Sequence, residues 1–313
     1  MPPALVLTAG LGTRLRPLTL VRAKPAVPIA GEPLVRRIIT WLRAKGVSDL
    51  VLNLHHLPET IAAAVGDGTD LGVRVRYSWE QPAVLGTAGG PRRALPIINQ
   101  GNGGTFLIVN GDTLTDVDVL ALVASHQASD ALVTLALVPN DQAHKYGGVV
   151  VDAGSRVTGF VRPGAARLGA ERFGGAGLHH FVGVQAVEPS AFEAVPDDTP
   201  ANSVGDVYDR LIARRAGAVR GFVTRAAFWD VGTIGDYWNT SAALGGPPPP
   251  GRNARIDPTA RVETSILWDD VEIGGHAVLE ECIVTDGAVV PDGARYRRAV
   301  LRGGATLVAE PFD

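Results

Sequence analysis

The chain has 313 residues, which is enough for two domains of about 100–200 residues each. Its 29 basic and 32 acidic residues leave a formal charge of −3, so nothing in the charge balance points to a nucleic acid or to a membrane surface as a partner. A single cysteine excludes an internal disulfide framework and predicts a cytoplasmic protein. The opening residues do not resemble a signal peptide, and no apolar run approaches the roughly 18 residues of a membrane span.

The N-terminal part alternates short apolar runs with longer amphipathic ones. Residues 5–8, 50–54 and 106–109 predict buried strands, and residues 34–44 have the apolar spacing of a helix. This alternation favours a mainly parallel sheet with helices on both sides. After about residue 130 the pattern becomes rich in strands, at 132–138, 148–151, 157–161 and 180–187. These strands predict an antiparallel portion beside the parallel sheet.

A run of four prolines, Pro247–Pro250, interrupts this pattern. It cannot continue a helix or a central strand, so it predicts a semi-rigid linker. We expect a first domain over residues 1–244, a linker over 245–252 and a second domain over 253–313.

The last 60 residues repeat with a period of 17. One apolar column contains Ile256, Ile273, Val290 and Leu307, and a column of small residues contains Ala260, Ala277 and Ala294. A fixed period with matching columns predicts stacked strands around one continuous core. The pattern resembles the hexapeptide repeats of a left-handed parallel β-helix with three short coils.

Two reactive residue types occur in this repeat. Cys282 shares a column with Ser265 and Ala299, which predicts a small buried corner position and not a reactive thiol. His276 stands alone between Gly275 and Ala277, and we interpret it as a turn residue. An acyltransferase site, which in hexapeptide proteins uses a histidine and several long coils, is therefore disfavoured.

A glycine-rich loop follows the first strand. Gly10 and Gly12 let backbone N–H groups approach an anion, and Thr13, Arg14 and Arg16 come directly after them. The loop is neither a dinucleotide fingerprint nor a Walker A motif. The next basic residue, Lys24, is one of only three lysines beside 26 arginines, and a lysine offers a compact point charge that arginine does not.

Together, Gly10–Thr19 and Lys24–Ile29 resemble the signature of sugar-1-phosphate nucleotidylyltransferases. Three later segments agree with it, namely Leu85–Gly89, Val109–Asp112 and Trp229–Thr233. The wording of Leu85–Gly89 is most similar to mannose-1-phosphate guanylyltransferases and to some uridylyltransferases. The resemblance implies an α/β fold, with a Rossmann-like sheet of the nucleotide-diphospho-sugar transferase type followed by the β-helix.

The reaction implied by this resemblance joins a nucleoside triphosphate to a sugar 1-phosphate and releases pyrophosphate. Gly10, Leu11, Gly12 and Thr13 are expected to hold the triphosphate, with Arg14 against the departing pyrophosphate. Lys24 is implied to contact the sugar phosphate or the α-phosphate. Asp112 and Asp230 are implied to hold Mg²⁺, which prefers carboxylates, phosphate oxygens and water. The catalytic set is therefore Arg14, Lys24 and Asp112.

Nucleobase and sugar recognition follow from the same resemblance. The base is expected at Gln81 and at the backbone of Gly86, Thr87 and Ala88, and Gly111 is expected to bind the nucleotide. Gly89 and Gly90 are expected to open the next helix. The residues implied to bind the sugar phosphate are Lys24, Tyr146, Gly147, Arg162 and Gly183.

The chain departs from the family pattern at one place, where many relatives have Glu-Lys-Pro and this chain has Val161-Arg162-Pro163. Val161 cannot accept a hydrogen bond from a sugar hydroxyl. Either Glu171, Arg172 or His179 replaces the missing carboxylate, or the sugar lacks that hydroxyl. Two further carboxylates, Asp116 and Asp118, are interpreted as caps of the following helix.

Three alternatives stay open at this point. The enzyme could transfer a uridylyl or thymidylyl group to another sugar 1-phosphate. The chain could also be a regulatory paralogue that binds nucleotide sugars without making them, although it retains Arg14, Lys24 and both aspartates. Finally, the β-helix could mediate a homo-oligomer, because the outer faces of such helices often do so.

Overall fold

The computed structural model describes residues 1–98, 103–163, 177–245, 248–304 and 306–312. In those ranges, no helix is both long enough and apolar enough to cross a membrane. The chain forms two compact units, each assembled from separate stretches of sequence. The first unit comprises Met1–Gly10, Ile38–Pro58 and Val65–Phe228, and the second comprises Leu11–Arg37, Glu59–Ala64 and Trp229–Asp313. The predicted division of the chain at residues 245–252 stays a prediction.

The regular elements before the proline run follow one another in the predicted alternation. The strands are β1 (Ala4–Leu7), β2 (Pro28–Ile29), β3 (Glu32–Pro33), β4 (Asp49–Leu54), β5 (Arg74–Trp79), β6 (Phe106–Asn110), β7 (Thr113–Thr115), β8 (Val133–Pro139), β9 (Gly148–Val151), β10 (Val157–Val161), β11 (Gly177–Val187), β12 (Val219–Val223) and β13 (Phe228–Asp230). The helices are α1 (Leu34–Ala44), α2 (Pro58–Val65), α3 (Gly86–Ile98), α4 (Val119–Gln127), α5 (Ala143–Tyr146), α6 (Tyr208–Arg214) and α7 (Ile234–Ala243).

A nine-stranded sheet forms the centre of the first unit. Its main path runs β10-β9-β11-β6-β1-β4-β5, with β8 beside β11 and β12 beside β8. β1 pairs in parallel with both β4 and β6, and β4 pairs in parallel with β5. β11 pairs antiparallel with β6, β8 and β9, which is the predicted antiparallel portion.

The core of the first unit lies on the apolar central strands. Leu5, Val51, Phe106 and Ile108 are all fully buried, as expected for parallel strands covered on both faces. Phe106 also contacts the ring of Phe192, with centroids 6.4 Å apart. Because this core holds the central strands in register, the residues that follow each strand are held at defined positions along the sheet edge.

The second unit contains the repeated coils, whose strands are β14 (Arg255–Ile256), β15 (Arg261–Glu263), β16 (Ile266–Leu267), β17 (Glu272–Ile273), β18 (Val278–Glu280), β19 (Ile283–Val284), β20 (Val289–Val290), β21 (Arg295–Arg297), β22 (Ala299–Arg302) and β23 (Val308–Pro311). Each strand from β14 to β19 pairs in parallel with the one 17 residues later, as in Ile256↔Ile273 and Ile273↔Val290. The final strand, β23, pairs antiparallel with β22 and ends this ladder.

The predicted columns form the core of the β-helix. Ile273, Ala277, Leu279 and Val290 are buried along its axis. These observations confirm the α/β sheet and the parallel hexapeptide-repeat region, and the left-handed sense of the helix stays a prediction.

The N-terminal stretch of the second unit, residues 11–27, forms short irregular turns. 3-10 turns cover Thr13–Leu15, Leu18–Leu20 and Lys24–Ala26, and β2 and β3 form a small hairpin. No turn in this stretch is longer than three residues, so the path from residue 11 to residue 27 depends on contacts outside its own backbone. This dependence matters because the stretch carries most of the predicted phosphate-binding residues.

Candidate active site

The predicted site residues fall into both compact units. The first unit contains Gly10, Gln81, Gly86, Thr87, Gly111, Asp112, Tyr146, Gly147, Arg162 and Gly183. The second contains Leu11, Gly12, Thr13, Arg14, Lys24 and Asp230. The contacts within each unit show which of these residues the fold brings together.

In the second unit, the glycine-rich loop presents its polar groups to solvent. Leu11, Thr13 and Arg14 are exposed, while the neighbouring Leu15 is fully buried and anchors the turn. An exposed backbone beside a guanidinium is a suitable setting for a polyanion.

Gly12 and Lys24 lie against each other in this unit. Gly12 has a φ of +60°, and a Cβ atom built on it would lie 2.7 Å from Thr19 Cγ2 and 3.2 Å from Lys24 Cβ. Thr19 Oγ1 donates a hydrogen bond of 2.9 Å to the carbonyl of Gly12. Lys24 is only 8% exposed, which is unusual for a lysine and excludes a purely solvated surface charge. A side chain at position 12 would therefore displace the stem of Lys24.

Asp230 lies just before the N-terminus of α7. A Cβ atom on Gly232 would lie 3.0 Å from Asp230 Oδ2 and 3.1 Å from Asp236 Oδ2, so both carboxylates border this glycine. Asp236 and Thr233 form a capping box at the start of α7. The hydroxyl of Thr240 donates to the backbone carbonyl of Asp230 at 2.9 Å. The carboxylate of Asp230 is thus held on a fixed backbone beside the positive end of a helix dipole.

In the first unit, Asp112 follows β6 at its carboxyl end, where open α/β sheets bind ligands. The preceding residue, Gly111, donates its N–H to the carbonyl of Leu7 at 3.0 Å, which extends the pairing of β6 with β1. Thr113 Oγ1 contacts Asp112 Oδ1 at 3.3 Å. Asp112 is half-buried, and its position is therefore set by the parallel ladder beneath it.

Both aspartates provide hard carboxylate oxygens, which are the donors that Mg²⁺ prefers, so the donor set is suited to this ion. Across residues 1–98, 103–163, 177–245, 248–304 and 306–312, no group of three or more His, Cys, Asp and Glu side chains has the arrangement of a metal site.

A buried hydrogen-bond network supports the predicted base-binding loop. Glu80 is fully buried and accepts from Asn53 Nδ2 at 2.7 Å and from the backbone N–H of Leu85 at 2.6 Å. Asn53 Oδ1 in turn accepts from the N–H of Thr8 at 2.6 Å. Gln81, the predicted base-binding side chain, directly follows this anchored glutamate and is exposed. The network was not predicted, although the carboxylate next to Gln81 was a signal that could have suggested it.

The expectation that Gly89 and Gly90 open the next helix is wrong. α3 begins at Gly86, and Gly89 and Gly90 are buried inside its first turns. A Cβ atom on Gly90 would lie 3.0 Å from Asn53 Nδ2 and would also overlap Glu80 Oε1. These glycines therefore allow the helix to lie against the buried network.

The N-terminus of α3 is occupied by a neighbouring loop. The N–H of Ala88 donates to the carbonyl of Ala201 at 2.9 Å, and Thr87 Oγ1 accepts from the N–H of Ser203 at 2.8 Å. Of the backbone groups predicted to contact a base, that of Ala88 is already used within the protein.

An aromatic cluster accompanies Tyr146, one of the predicted sugar-binding residues. The ring centroid of His180 lies 4.4 Å from that of Tyr146 and 4.6 Å from that of Phe228. The ammonium of Lys145 lies 4.8 Å from the Tyr146 ring. Burial lowers the pKa of His180 to about 4, and the charge of Lys145 acts in the same direction. His180 is consequently a neutral ring at physiological pH, and sequence reasoning missed it.

The two glycines that were predicted to bind the sugar have structural roles within the chain. A side chain on Gly147 would overlap the carbonyl of Val161, so this glycine allows α5 to meet the strand that leads to Arg162. Gly183 lies where the pairing of β11 with β8 changes register between Phe181 and Gln185, and its φ is +78°. Arg162 is exposed. His179 is half-buried in β11, whereas Glu171 and Arg172 lie outside the described residues.

The interpretation of the spare carboxylates is half correct. Asp118 caps α4 and accepts from the N–H groups of Leu120 and Ala121. Asp116 is not a cap, because its carboxylate accepts from the N–H of Ala227 at 2.8 Å and thereby holds the chain that leads into β13.

Cys282 and His276, the residues that a redox or an acyltransferase site would need, both have structural roles in the β-helix. Cys282 is fully buried in the β-helix, and burial raises the pKa of its thiol. His276 is exposed, with a φ of +58°, in the turn between two strands.

Two protein-family profiles and a curated relative match the sequence. The profile of the family described as nucleotidyl transferase matches residues 3–245, and a profile described as GlmU-like, C-terminal hexapeptide matches residues 251–296. The chain is 36% identical over 234 residues to the N-acetylmuramate alpha-1-phosphate uridylyltransferase of Neisseria meningitidis serogroup B, with 74% of this chain and 93% of that protein covered.

A second relative and a solved structure extend the comparison. The chain is 29% identical over 304 residues to the mannose-1-phosphate guanylyltransferase of Mycobacterium tuberculosis, with 93% of this chain and 80% of that protein covered. The crystal structure of HddC from Yersinia pseudotuberculosis complexed with GMP-PN is similar at a TM-score of 0.64 and 25% identity, over 78% of this chain and 100% of that one.

Proposed function

The chain belongs to the nucleotidyl transferase family, as the signature residues predicted, and from this membership we propose that it joins a nucleoside triphosphate to a sugar 1-phosphate. The products are a nucleoside-diphosphate sugar and pyrophosphate. A phosphate oxygen of the sugar attacks the α-phosphorus, and the bond from that phosphorus to pyrophosphate breaks, with its electron pair leaving on the pyrophosphate oxygen.

The observation that carries this proposal is the packing of Lys24 on Gly12. Two polyanions must be brought together in this reaction, so the protein mainly has to neutralise charge and align the reacting atoms. A lysine that is 8% exposed and packed against a phosphate-binding turn supplies a fixed positive charge for this purpose. In the proposed arrangement Lys24 contacts the sugar phosphate or the α-phosphate, and the exposed Arg14 stabilises pyrophosphate as it leaves.

Asp112 and Asp230 are the residues that would hold Mg²⁺. When bound, the ion would neutralise phosphate charge and polarise the phosphorus under attack. The protein contributes the two carboxylates at defined positions. The parallel ladder of β6 and β1 positions Asp112, and the start of α7 positions Asp230.

The first candidate substrates are GTP and mannose 1-phosphate, or a related hexose or heptose phosphate. The guanylyltransferase of M. tuberculosis and the complex of HddC with GMP-PN support this order. Gln81, Gly86, Thr87 and Gly111 are the proposed nucleotide contacts, and Tyr146, Gly147, Arg162 and Gly183 the proposed sugar-phosphate contacts.

A second candidate is uridylyl transfer to a sugar 1-phosphate that carries a carboxylate. The uridylyltransferase of N. meningitidis, which is 36% identical to this chain, favours it. Val161 occupies the position where many relatives have glutamate, and the absence of that acidic side chain would avoid repulsion of a negatively charged sugar.

One panel of assays tests both candidates. Each of ATP, GTP, CTP, UTP and dTTP is combined with the 1-phosphates of mannose, glucose, N-acetylglucosamine, heptose and N-acetylmuramate, and pyrophosphate release is measured with and without Mg²⁺. We expect release to need a triphosphate, a sugar 1-phosphate and the ion together. Release without any sugar phosphate would contradict the proposal, and binding of a nucleotide sugar without turnover of any pair would indicate the regulatory alternative.

A further inference from the structure

We propose that the β-helix positions the phosphate-binding segment for turnover, and that Arg22 is the positioning residue that transmits this effect. The inference rests on the proposed function and adds to it a catalytic requirement for the C-terminal coils. All the residues that carry it belong to the second unit, in which Leu11–Arg37 and Trp229–Asp313 pack as one body.

Arg22 makes three hydrogen bonds to carboxylates of the β-helix. Its Nε donates to Asp286 Oδ2 at 2.6 Å, and its Nη2 donates to Asp286 Oδ1 at 2.7 Å and to Asp269 Oδ2 at 2.8 Å. The Arg22 side chain is 16% exposed, against 25% for Asp269 and 27% for Asp286. A paired, bidentate geometry of this kind specifies orientation as well as charge.

The acidic partners are themselves fixed by the repeat. Asp269 and Asp286 occupy equivalent positions 17 residues apart on successive coils, and the N–H of Asp269 donates to Asp286 Oδ1 at 3.1 Å. Asp269 Oδ1 accepts from the N–H of Arg252 at 2.8 Å. Arg22 therefore binds a pair of carboxylates on equivalent turns of successive coils.

An aromatic contact completes the attachment. The guanidinium carbon of Arg22 lies 5.3 Å from the ring centroid of Trp268, which is 1% exposed. Trp268 Nε1 donates to the hydroxyl of the fully buried Tyr237 on α7 at 3.0 Å. Burial opposes the charge on Arg22, but the hydrogen bonds and charges of Asp286 and Asp269 outweigh it and raise the pKa of the guanidinium.

The position of Arg22 in the chain connects this attachment to the site. Arg22 lies between the turn that contains Gly12 and the turn that begins at Lys24. Its N–H donates to Leu18 O at 3.2 Å, and the carbonyl of the next residue, Ala23, accepts from Ala26 at 2.8 Å and so closes the Lys24 turn. We call the contacts of Arg22 with Asp269, Asp286 and Trp268 the Arg22 clamp. Since the segment has no long helix or strand of its own, this clamp holds both turns in place. Loss of it would let Lys24 shift, and shifts of about 1 Å can cost about 100-fold in rate.

The test compares Asp286→Asn and Arg22→Lys with a control on the same coils. Asp286→Asn removes the negative charge but keeps the size of the side chain. Arg22→Lys keeps the positive charge but loses the two parallel N–H donors of the guanidinium. The matched control is Glu272→Gln, which breaks the exposed ion pair of Glu272 with Arg255 (3.2 Å) between two stacked strands of the β-helix. For each full-length variant, kcat, the KM for the triphosphate, the melting temperature and amide hydrogen exchange of residues 11–27 are measured.

We expect kcat to fall about tenfold in both clamp variants. Amide exchange should become faster in residues 11–27 and stay unchanged in β1, β4 and β6. For Glu272→Gln, kcat and KM should stay within about twofold of wild type. Wild-type kcat in the clamp variants would overturn the inference. A fall that only matches the unfolded fraction at the assay temperature, or an equal fall in the control, would overturn it as well. If the wild type releases no pyrophosphate with any substrate pair, the proposed function fails. If the wild type is active and the clamp variants are equally active, only the further inference fails.

Discussion

The two units hold their predicted site residues by different means. In the first unit, Asp112 follows a strand whose register is set by a parallel ladder and a fully buried core. In the second, Gly12 and Lys24 lie at the start of three-residue turns, and Arg22, between those turns, binds Asp286, a residue far away in sequence. The difference indicates that a site residue on a strand end depends on its neighbours in the sheet, whereas one on irregular turns depends on specific long-range contacts.

The largest effect is expected from Asp112→Ala, which tests the strand-end part of the comparison. Removing a carboxylate proposed to hold Mg²⁺ should lower kcat by about 10³-fold, because transition-state charge is then uncompensated. Pyrophosphate release and the melting temperature would be measured together, with Asp209→Ala on an exposed face of α6 as the control. Full activity of Asp112→Ala would remove this residue from the proposed site.

Lys24→Arg tests the irregular segment. The change keeps the charge but replaces a compact ammonium with a larger, planar guanidinium at a position that is only 8% exposed. We expect kcat to fall about 100-fold with little change in melting temperature. The matched control is Lys45→Arg, just after α1, which should behave as wild type. An active Lys24→Arg enzyme would show that charge alone suffices at this position.

Glu80→Gln sharpens the comparison inside the first unit. Both oxygens of Glu80 accept hydrogen bonds, so a glutamine would place its amide group against the N–H of Leu85 or the amide of Asn53. One buried donor would lose its acceptor, at a cost of about 2 kcal/mol in the free energy of unfolding. The KM for the triphosphate should rise as well, since Gln81 follows directly. Urea denaturation and kinetics would be compared with Glu59→Gln, an exposed position on α2.

The last effect, which is confined to acidic pH, concerns the aromatic cluster. The pKa of His180 is about 4 in the folded protein and near its usual 6.5 in the unfolded chain, so the unfolded state binds more protons between these values. Stability should therefore fall as the pH drops from 6.5 towards 4. His180→Asn should reduce this loss by about 2 kcal/mol at pH 4.5, after allowance for solvent screening. His276→Asn is the exposed control, and the same pH slope in both variants would contradict the assignment.

Sequence patterns predicted the regular parts of the fold well. Residues 34–44 form α1 as the apolar spacing indicated, and the 17-residue columns became the paired strands of the coils. Both patterns are local or strictly periodic, so one linear sequence is enough to read them. The misplaced start of α3 has the opposite cause: α3 begins at Gly86 beside a carbonyl of the distant Ala201, and Gly89 and Gly90 are needed for close packing further along.

The signature from Gly10 to Lys24 identified the family and named the charged residues, because motifs of this length rarely match by chance. The packing alone showed that Lys24 is buried, that Glu80 anchors the loop that contains Gln81, and that Arg22 binds Asp286, a residue 264 positions away. Contacts of this kind leave no period and no spacing in the chain. They arise only when separate segments meet, since burial then makes each polar group find a partner.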